Sequence, residues 1–254
     1  MDLPITVMDR DLLEPAFSGN KLLGGLSEDV RALIEPHLSI RSFEVGSTLL
    51  AKDERVEHSI FPFDTLMVSM IVELDAGRSI EVASIGKEGA IGGIVSCGET
   101  PAFARTVVQI AGSAAILPMA VLQKVKEQSH DVQLLFCRYS DALLSQVMQS
   151  VACNSYHPIE ARAARWLLHA QDRVGGDRLA LTQESLAGLL GVQRTTVNAV
   201  ARMLQDQGLI AYRRGAIQVV DRAGLEQVSC ACYAAVERHF DDILGPSGAR
   251  GIRP

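Results

Sequence analysis

The sequence predicts an α+β protein: an antiparallel β-sandwich or barrel, then a long helix, then a winged helix-turn-helix. Three observations carry this. Short apolar runs broken by turn residues fill 40–118; a Leu-, Gln-, Met- and Val-rich stretch without Gly or Pro covers 119–154; two short amphipathic segments flank Gly191 and lead into a basic hairpin. The 254 residues allow one large domain or two small ones. The longest apolar stretches, such as 113–122, are too short to span a bilayer, and Met1-Asp2-Leu3-Pro4 does not open a secretory signal, so a cytoplasmic protein without membrane contact is expected.

The net charge of −6 is unevenly spread. Residues 156–222 hold nine Arg, no Lys and six acidic residues, a balance of +3 that leaves −9 for the rest. A basic C-terminal module thus follows an acidic N-terminal one. The cysteines, Cys97, Cys137, Cys153, Cys230 and Cys232, are odd in number and scattered, with no Cys-x-x-Cys. They predict neither a disulfide framework nor a metal site. Cys230-Ala231-Cys232, the one close pair, reads as small residues on an amphipathic helix over 225–240, whose apolar side carries Leu225, Val228, Cys232, Val236 and Phe240, with a metal or redox role for the pair as the alternative.

At the N-terminal end, Ser27 is placed to cap a helix with Glu28 and Asp29 in its first turn and Val30, Leu33 and Ile34 on its buried face. Strands are expected over 47–51, 59–61, 66–74, 79–85, 105–110 and 114–117, with Asp75-Ala76-Gly77 as one of the turns. Within 119–154, Leu143, Leu144, Val147, Met148 and Val151 place apolar residues on two adjacent faces. One face suits the β-domain and the other a second copy of the helix, and Gln146, Gln149 and Ser150 argue against complete burial. His157-Pro158 ends the helix, another runs over 159–173, and 179–181 reads as a short strand.

Thr182 is a good N-cap for a helix with Leu186, Ala187, Leu189 and Leu190 inside. Gly191 permits a left-handed turn into a second helix, 194–207, that buries Val197, Val200, Ala201 and Leu204. The outer face, Arg194, Thr195, Thr196, Asn198 and Arg202, is polar and free of acid. Arg and Asn can each hold a base edge with two hydrogen bonds, and Gln193, Arg194, Thr195 and Asn198 sit near the helix start, where a recognition helix meets bases. Thr182 and Gln183 at the first helix's N-terminus suit a phosphate, and Arg213 and Arg214 at the hairpin turn suit the phosphate backbone. No phosphate loop, Gly-x-Ser-x-Gly, His-Glu-x-x-His or dinucleotide fingerprint occurs, so catalysis is not expected.

The run Leu181-Thr182-Gln183-Glu184-Ser185-Leu186-Ala187-Gly188-Leu189-Leu190-Gly191-Val192-Gln193-Arg194-Thr195-Thr196-Val197-Asn198, with Met203-Leu204 and Gly208-Leu209-Ile210, resembles the cyclic-AMP receptor protein and fumarate–nitrate reductase regulator (Crp/Fnr) family of bacterial transcription factors. The resemblance spans about 22–221 and implies a cyclic-nucleotide-binding-like β-roll over 20–118, a dimerisation helix region over 119–155, a winged helix-turn-helix over 156–222 and an additional helix over 223–244. It implies a homodimer on a near-palindromic DNA site, with RNA polymerase as a further partner and a small ligand or other signal acting through the β-roll. A binding subunit that signals to a protein without touching DNA is the alternative.

Arg194 matches the family's base-contacting Arg, but Thr195 stands where the family often has Glu, so target preference does not carry over. Cyclic-nucleotide binders of the family use a Gly-Glu pair and an Arg-Ser or Arg-Thr pair. Here Gly89-Ala90-Ile91-Gly92-Gly93-Ile94 has no Glu, while Arg105-Thr106 matches the second pair, making Gly92, Gly93, Arg105 and Thr106 the expected pocket residues. Losing a charged acceptor for the ribose costs about 1.5–3 kcal/mol, so cyclic AMP is not the expected effector. The family's N-terminal iron–sulfur cysteines are missing, because the first cysteine is Cys97. As haem ligands His37, His58 and His130 are only nominal candidates; each reads as a surface or capping residue, and no cofactor is expected.

Overall fold

The computed structural model describes residues 13–74, 78–93, 100–213 and 215–245. Cys97, Arg214 and the expected turn at 75–77 lie outside the described residues. Three short helices, α1 (Leu13–Gly19), α2 (Lys21–Gly24) and α3 (Glu28–Ile34), cover one end of the β-domain. They are pinned by Asn20, which is fully buried. Its Oδ1 accepts from Leu22 and Leu23 N–H to cap α2, and its Nδ2 donates to the carbonyls of Pro62 (2.7 Å) and Gly89 (2.8 Å). Ser27 precedes α3 as expected, yet its side chain makes no capping bond.

Seven strands follow: β1 (Ser39–Phe43), β2 (Thr48–Leu50), β3 (His58–Pro62), β4 (Met67–Glu73), β5 (Ser79–Ile85), β6 (Arg105–Ile110) and β7 (Gly112–Pro118). They form two antiparallel sheets ordered β1-β7-β3 and β2-β6-β4-β5. The first strand was not expected, because Ser39-Ile40-Arg41-Ser42-Phe43 holds only two apolar residues; both are buried, and the whole strand pairs with β7.

The predicted helix over 119–154 is two helices, α4 (Met119–Gln128) and α5 (His130–Tyr156). Ser129 is extended (φ −128°, ψ 112°), and its hydroxyl accepts from Val132 N–H at the start of α5. A Ser can end one helix by capping the next. One side of α5 buries Val132, Phe136, Tyr139, Ala142 and Leu143. Tyr139 reaches the β-domain, donates to Ala90 O (3.2 Å) and packs so closely that a Cβ on Gly89 would overlap its phenol. Gln146 and Ser150 are themselves buried although the helix as a whole is not: Gln146 Nε2 donates to the carbonyl and hydroxyl of Ser84 (3.2 and 3.3 Å), while its Oε1 has no partner among the described residues. Leu144, Met148 and Val151 remain exposed at 55%, 60% and 63%, one stripe on the opposite side.

Next come α6 (Ile159–Val174), β8 (Arg178–Leu179), α7 (Gln183–Leu190), α8 (Arg194–Asp206), β9 (Ile210–Arg213) and β10 (Ala216–Val219), with a third antiparallel sheet ordered β8-β10-β9. This unit docks on the larger sheet of the β-domain, where Met67, Ile71, Val107 and Ile110 join its apolar core. Buried polar links cross the junction. Trp166 Nε1 donates to Glu81 Oε1 (2.9 Å), Ser69 donates to the same carboxylate, and Arg173 Nε pairs with Glu88 (2.9 Å). Burial raises the Glu81 pKa despite these bonds.

The single helix expected over 225–240 is also two, α9 (Arg222–Val228) and α10 (Cys232–Leu244), and Cys230 lies buried in the break. Asp221 caps α9 through Gly224 N–H, and α10 packs along α5 and α6. Among the described residues no helix is long and apolar enough to cross a membrane.

His169 of α6 faces Glu237 of α10, with Nδ1 2.9 Å from the carboxylate. Burial, helped by Arg173 and Arg165, outweighs Glu237 and pulls the His169 pKa down to about 4 from 6.5. The folded chain therefore binds fewer protons than the unfolded chain between those values. This contribution is complete above pH 6.5 and is lost as pH falls toward 4, at most about 3 kcal/mol. His169→Gln keeps a donor for Glu237 and removes the titration. Urea denaturation from pH 7 to 4.5 is expected to show wild type losing more stability than the variant; parallel curves would contradict it.

Candidate nucleic-acid interface

The geometry of the C-terminal unit follows from its caps. Thr182 Oγ1 accepts from Ser185 N–H (3.0 Å), fixing the start of α7. Gly191 ends α7 in the left-handed region (φ 66°), and its N–H bonds back to the helix. The chain then turns into α8 with Gln193 at the N-cap, where Gln makes no side-chain cap. Val197, Val200, Ala201 and Leu204 of α8 are buried against Leu186, Ala187, Leu189 and Leu190 of α7. Val192 packs half-buried at their edge.

This packing turns the other face of α8 outward. Gln193, Arg194, Thr195, Asn198 and Arg202 are exposed, and Thr196 is half-buried. Among the described residues neither Arg194 nor Arg202 makes an ion pair or side-chain hydrogen bond. At the start of α7, Thr182 is exposed and Gln183 half-buried. Arg213 is exposed at the end of β9, beside the turn that β9 and β10 close by pairing Ala216 with Arg213. Arg214 lies outside the described residues. Apart from Arg214, the polar residues singled out in the sequence thus fall on one helix face, one helix start and one strand end.

The β-domain holds a cavity of about 400 Å³ lined by Gly92, Gly93 and Thr106 together with Met70, Val82, Ile91, Phe103, Leu143 and Val147. Arg105 is not among its lining residues, which corrects the expectation from the sequence. Neighbouring strand residues point to opposite faces, so inward Thr106 sends Arg105 outward, where its Nε pairs with Glu73 at 2.8 Å. Among the described residues no charged side chain lines the cavity. Its apolar wall was missed because Val and Leu on strands read as core; Leu143 and Val147 come from α5, so the long helix forms part of the cavity.

The sequence reading also left Cys153, His157, Cys230 and Cys232 apart, although all four converge where α5 ends. The usable signal was the Cys153–His157 spacing, which puts both on one side of a helix end.

The fold and interface define a class, a β-roll joined through a long helix to a winged helix-turn-helix. Residues 161–228 match the family model described as a Crp-like helix-turn-helix domain. The fold is that of Crp/Fnr-family regulators. A putative Crp/Fnr transcriptional regulator from Eubacterium rectale is 20% identical, with a TM-score of 0.63 over 82% of this chain and 96% of that one. FixK2 from Bradyrhizobium japonicum is 18% identical, with a TM-score of 0.65 over 76% and 98%. A CRP-family transcriptional regulator from Thermus thermophilus is 18% identical, with a TM-score of 0.62 over 74% and 96%. No curated protein sequence matches the chain. Residues 161–228 thus form a Crp-like helix-turn-helix domain, in a chain whose fold is that of the Crp/Fnr-type regulators it resembles.

Gly191→Ala places a Cβ at positive φ and 3.3 Å from Ile80 of β5. It is expected to cost about 1–2 kcal/mol of stability. Thermal denaturation checks this, and an unchanged midpoint would show that the turn does not need its glycine.

Proposed function

We propose that the chain acts as a homodimer that reads a near-palindromic DNA site, with occupancy controlled through the β-roll. The observation that carries the reading is the exposed, acid-free face from Arg194 to Arg202, whose two arginines have no internal partner among the described residues. Burying two guanidinium donors without acceptors is unfavourable, whereas a major groove supplies guanine O6 and N7. Thr182, Gln183, Arg213 and Arg214 then serve the phosphates on either side.

The exposed stripe of Leu144, Met148 and Val151 on α5 supports a second copy as its occupant. Its residues recur at helical spacing on the longest helix of the chain, and two-fold pairing there buries the stripe against itself. Such a dimer would present two recognition helices about 34 Å apart. The cavity favours an uncharged, largely apolar effector over a cyclic nucleotide, because no described cation lines it to meet a phosphate. Contacts with Leu143 and Val147 would let such a ligand act on α5 directly.

Selection from random duplexes should return a near-palindrome. Arg194→Ala is expected to lose about 1–3 kcal/mol of discrimination at one base position per half-site. Arg213→Ala should weaken all sequences alike and lower the salt slope by about 1. Unchanged preference in the Arg194 variant, or no binding at low salt, overturns the DNA reading. Met148→Glu is expected to shift sedimentation from dimer to monomer and to weaken the full palindrome far more than a half-site. A dimer that survives it would place the interface elsewhere. Cyclic AMP should leave DNA affinity unchanged; micromolar binding that strengthens it would refute the apolar-effector reading.

A further inference from the structure

Three cysteines and a histidine from distant parts of the chain meet where α5 stops. Cys153 lies in the last turn of α5 and His157 is the residue that ends it; Cys230 lies in the break between α9 and α10, and Cys232 opens α10. Their side-chain ligand atoms all fall within 4.8 Å of one another. Cys153 Sγ is 3.5 Å from Cys230 Sγ, and Cys232 Sγ is 3.4 Å from His157 Nδ1. Metal–sulfur bonds of about 2.3 Å and metal–nitrogen bonds of about 2.0–2.1 Å in a tetrahedron place ligand atoms about 3.4–3.8 Å apart. The Cys153–Cys230 and Cys232–His157 separations fall in that range, within a cluster no wider than 4.8 Å. We infer that Cys153, His157, Cys230 and Cys232 form a closed, single-ion zinc site that fastens the C-terminal helices to the end of α5.

The surroundings fit a bound cation held by thiolates. Cys153, Cys230 and Cys232 are buried, at 0%, 8% and 2% exposure, and His157 is half-buried, so no side of the site opens widely to solvent. All four protein ligands are present, the pattern of structural zinc. The Gln149 amide donates to Cys232 Sγ (3.0 Å), the kind of outer hydrogen bond that orients a metal thiolate. Three thiolates around a divalent ion leave one net negative charge. Arg162 and Arg165 of α6 are placed to balance it: both interact electrostatically with Cys153 and Cys230, and the Nε of each is buried without a hydrogen-bond partner. Thiolate and imidazole together favour zinc over magnesium or calcium, and the short separations leave space for one ion rather than a cluster with bridging sulfides.

Position gives the site its consequence. At His157-Pro158 the chain leaves α5 for the DNA-binding unit, and α9 and α10 pack on α6 and α5. Zinc there ties both sides of the joint and fixes the direction in which α6 departs. This inference does not depend on which DNA sequence, or whether DNA at all, is bound.

The test is elemental analysis of the full chain purified without added metal and without chelator. The expected result is about one zinc per chain, with Cys230→Ser and Cys232→Ser retaining under about a tenth. Cys137→Ser, exposed and outside the cluster, should keep the full amount. Gln149→Leu should weaken zinc affinity by about 10–100-fold. Cobalt-loaded wild type should show the visible absorption of a tetrahedral thiolate site, a readout independent of whether the serine variants fold. Wild type that takes up neither zinc nor cobalt overturns the inference. So do iron with acid-labile sulfide, a Cys153–Cys230 disulfide in freshly isolated protein, or full zinc in both serine variants.

Discussion

The molecule depends on one helix serving several surfaces at once. The 27 residues of α5 extend about 40 Å, and every other unit is placed relative to them. Tyr139 and Gln146 hold one side to the β-roll, Leu143 and Val147 help line its cavity, and Cys153 and His157 meet the C-terminal helices. Leu144, Met148 and Val151 are left facing outward. A rigid helix cannot satisfy these contacts independently. A shift along or about its axis would reach the outward stripe and the exit toward the helix-turn-helix unit together.

The junction between the β-roll and the helix-turn-helix unit combines apolar contact with buried polar bonds. Met67, Ile71, Val107 and Ile110 supply non-directional burial. Trp166 on Glu81 and Arg173 on Glu88 supply direction. A buried ion pair adds little net stability once desolvation is counted, yet separating its members leaves a costly bare charge. The pairs therefore specify orientation more than they strengthen the contact. The polar face of α8 stays open while α7 rests near β5, with Gly191 beside Ile80.

Legibility in the sequence followed the range of the interactions involved. The helix-turn-helix was readable because its determinants are local: the Thr182 cap, the left-handed Gly191, and an apolar set at i, i+3, i+4 and i+7 whose complement is polar. The strands 79–85 and 105–110 appear with the expected bounds for the same reason. Errors arose where one residue served two neighbours. Ser129 ends α4 by capping α5, and Gln146 is buried because Ser84 answers it. Arg105 was assigned by its motif partner Thr106, although alternation along β6 must send the two to opposite faces.

By itself the sequence determined the order of the units, most of their strands and helices though not the first strand or the breaks at 129 and 229–231, and a face of α8 that its own core cannot use. Periodicity and caps act over a few residues and are written where they operate. Only the tertiary structure decided that the β-roll cavity is apolar among its described residues, that Arg105 pairs with Glu73, and that Cys153 and His157 meet Cys230 and Cys232. Those outcomes depend on which distant segments share a space. Residues 77 positions apart, such as Cys153 and Cys230, carry no local mark of each other until the packing of α10 on α5 brings them within 3.5 Å.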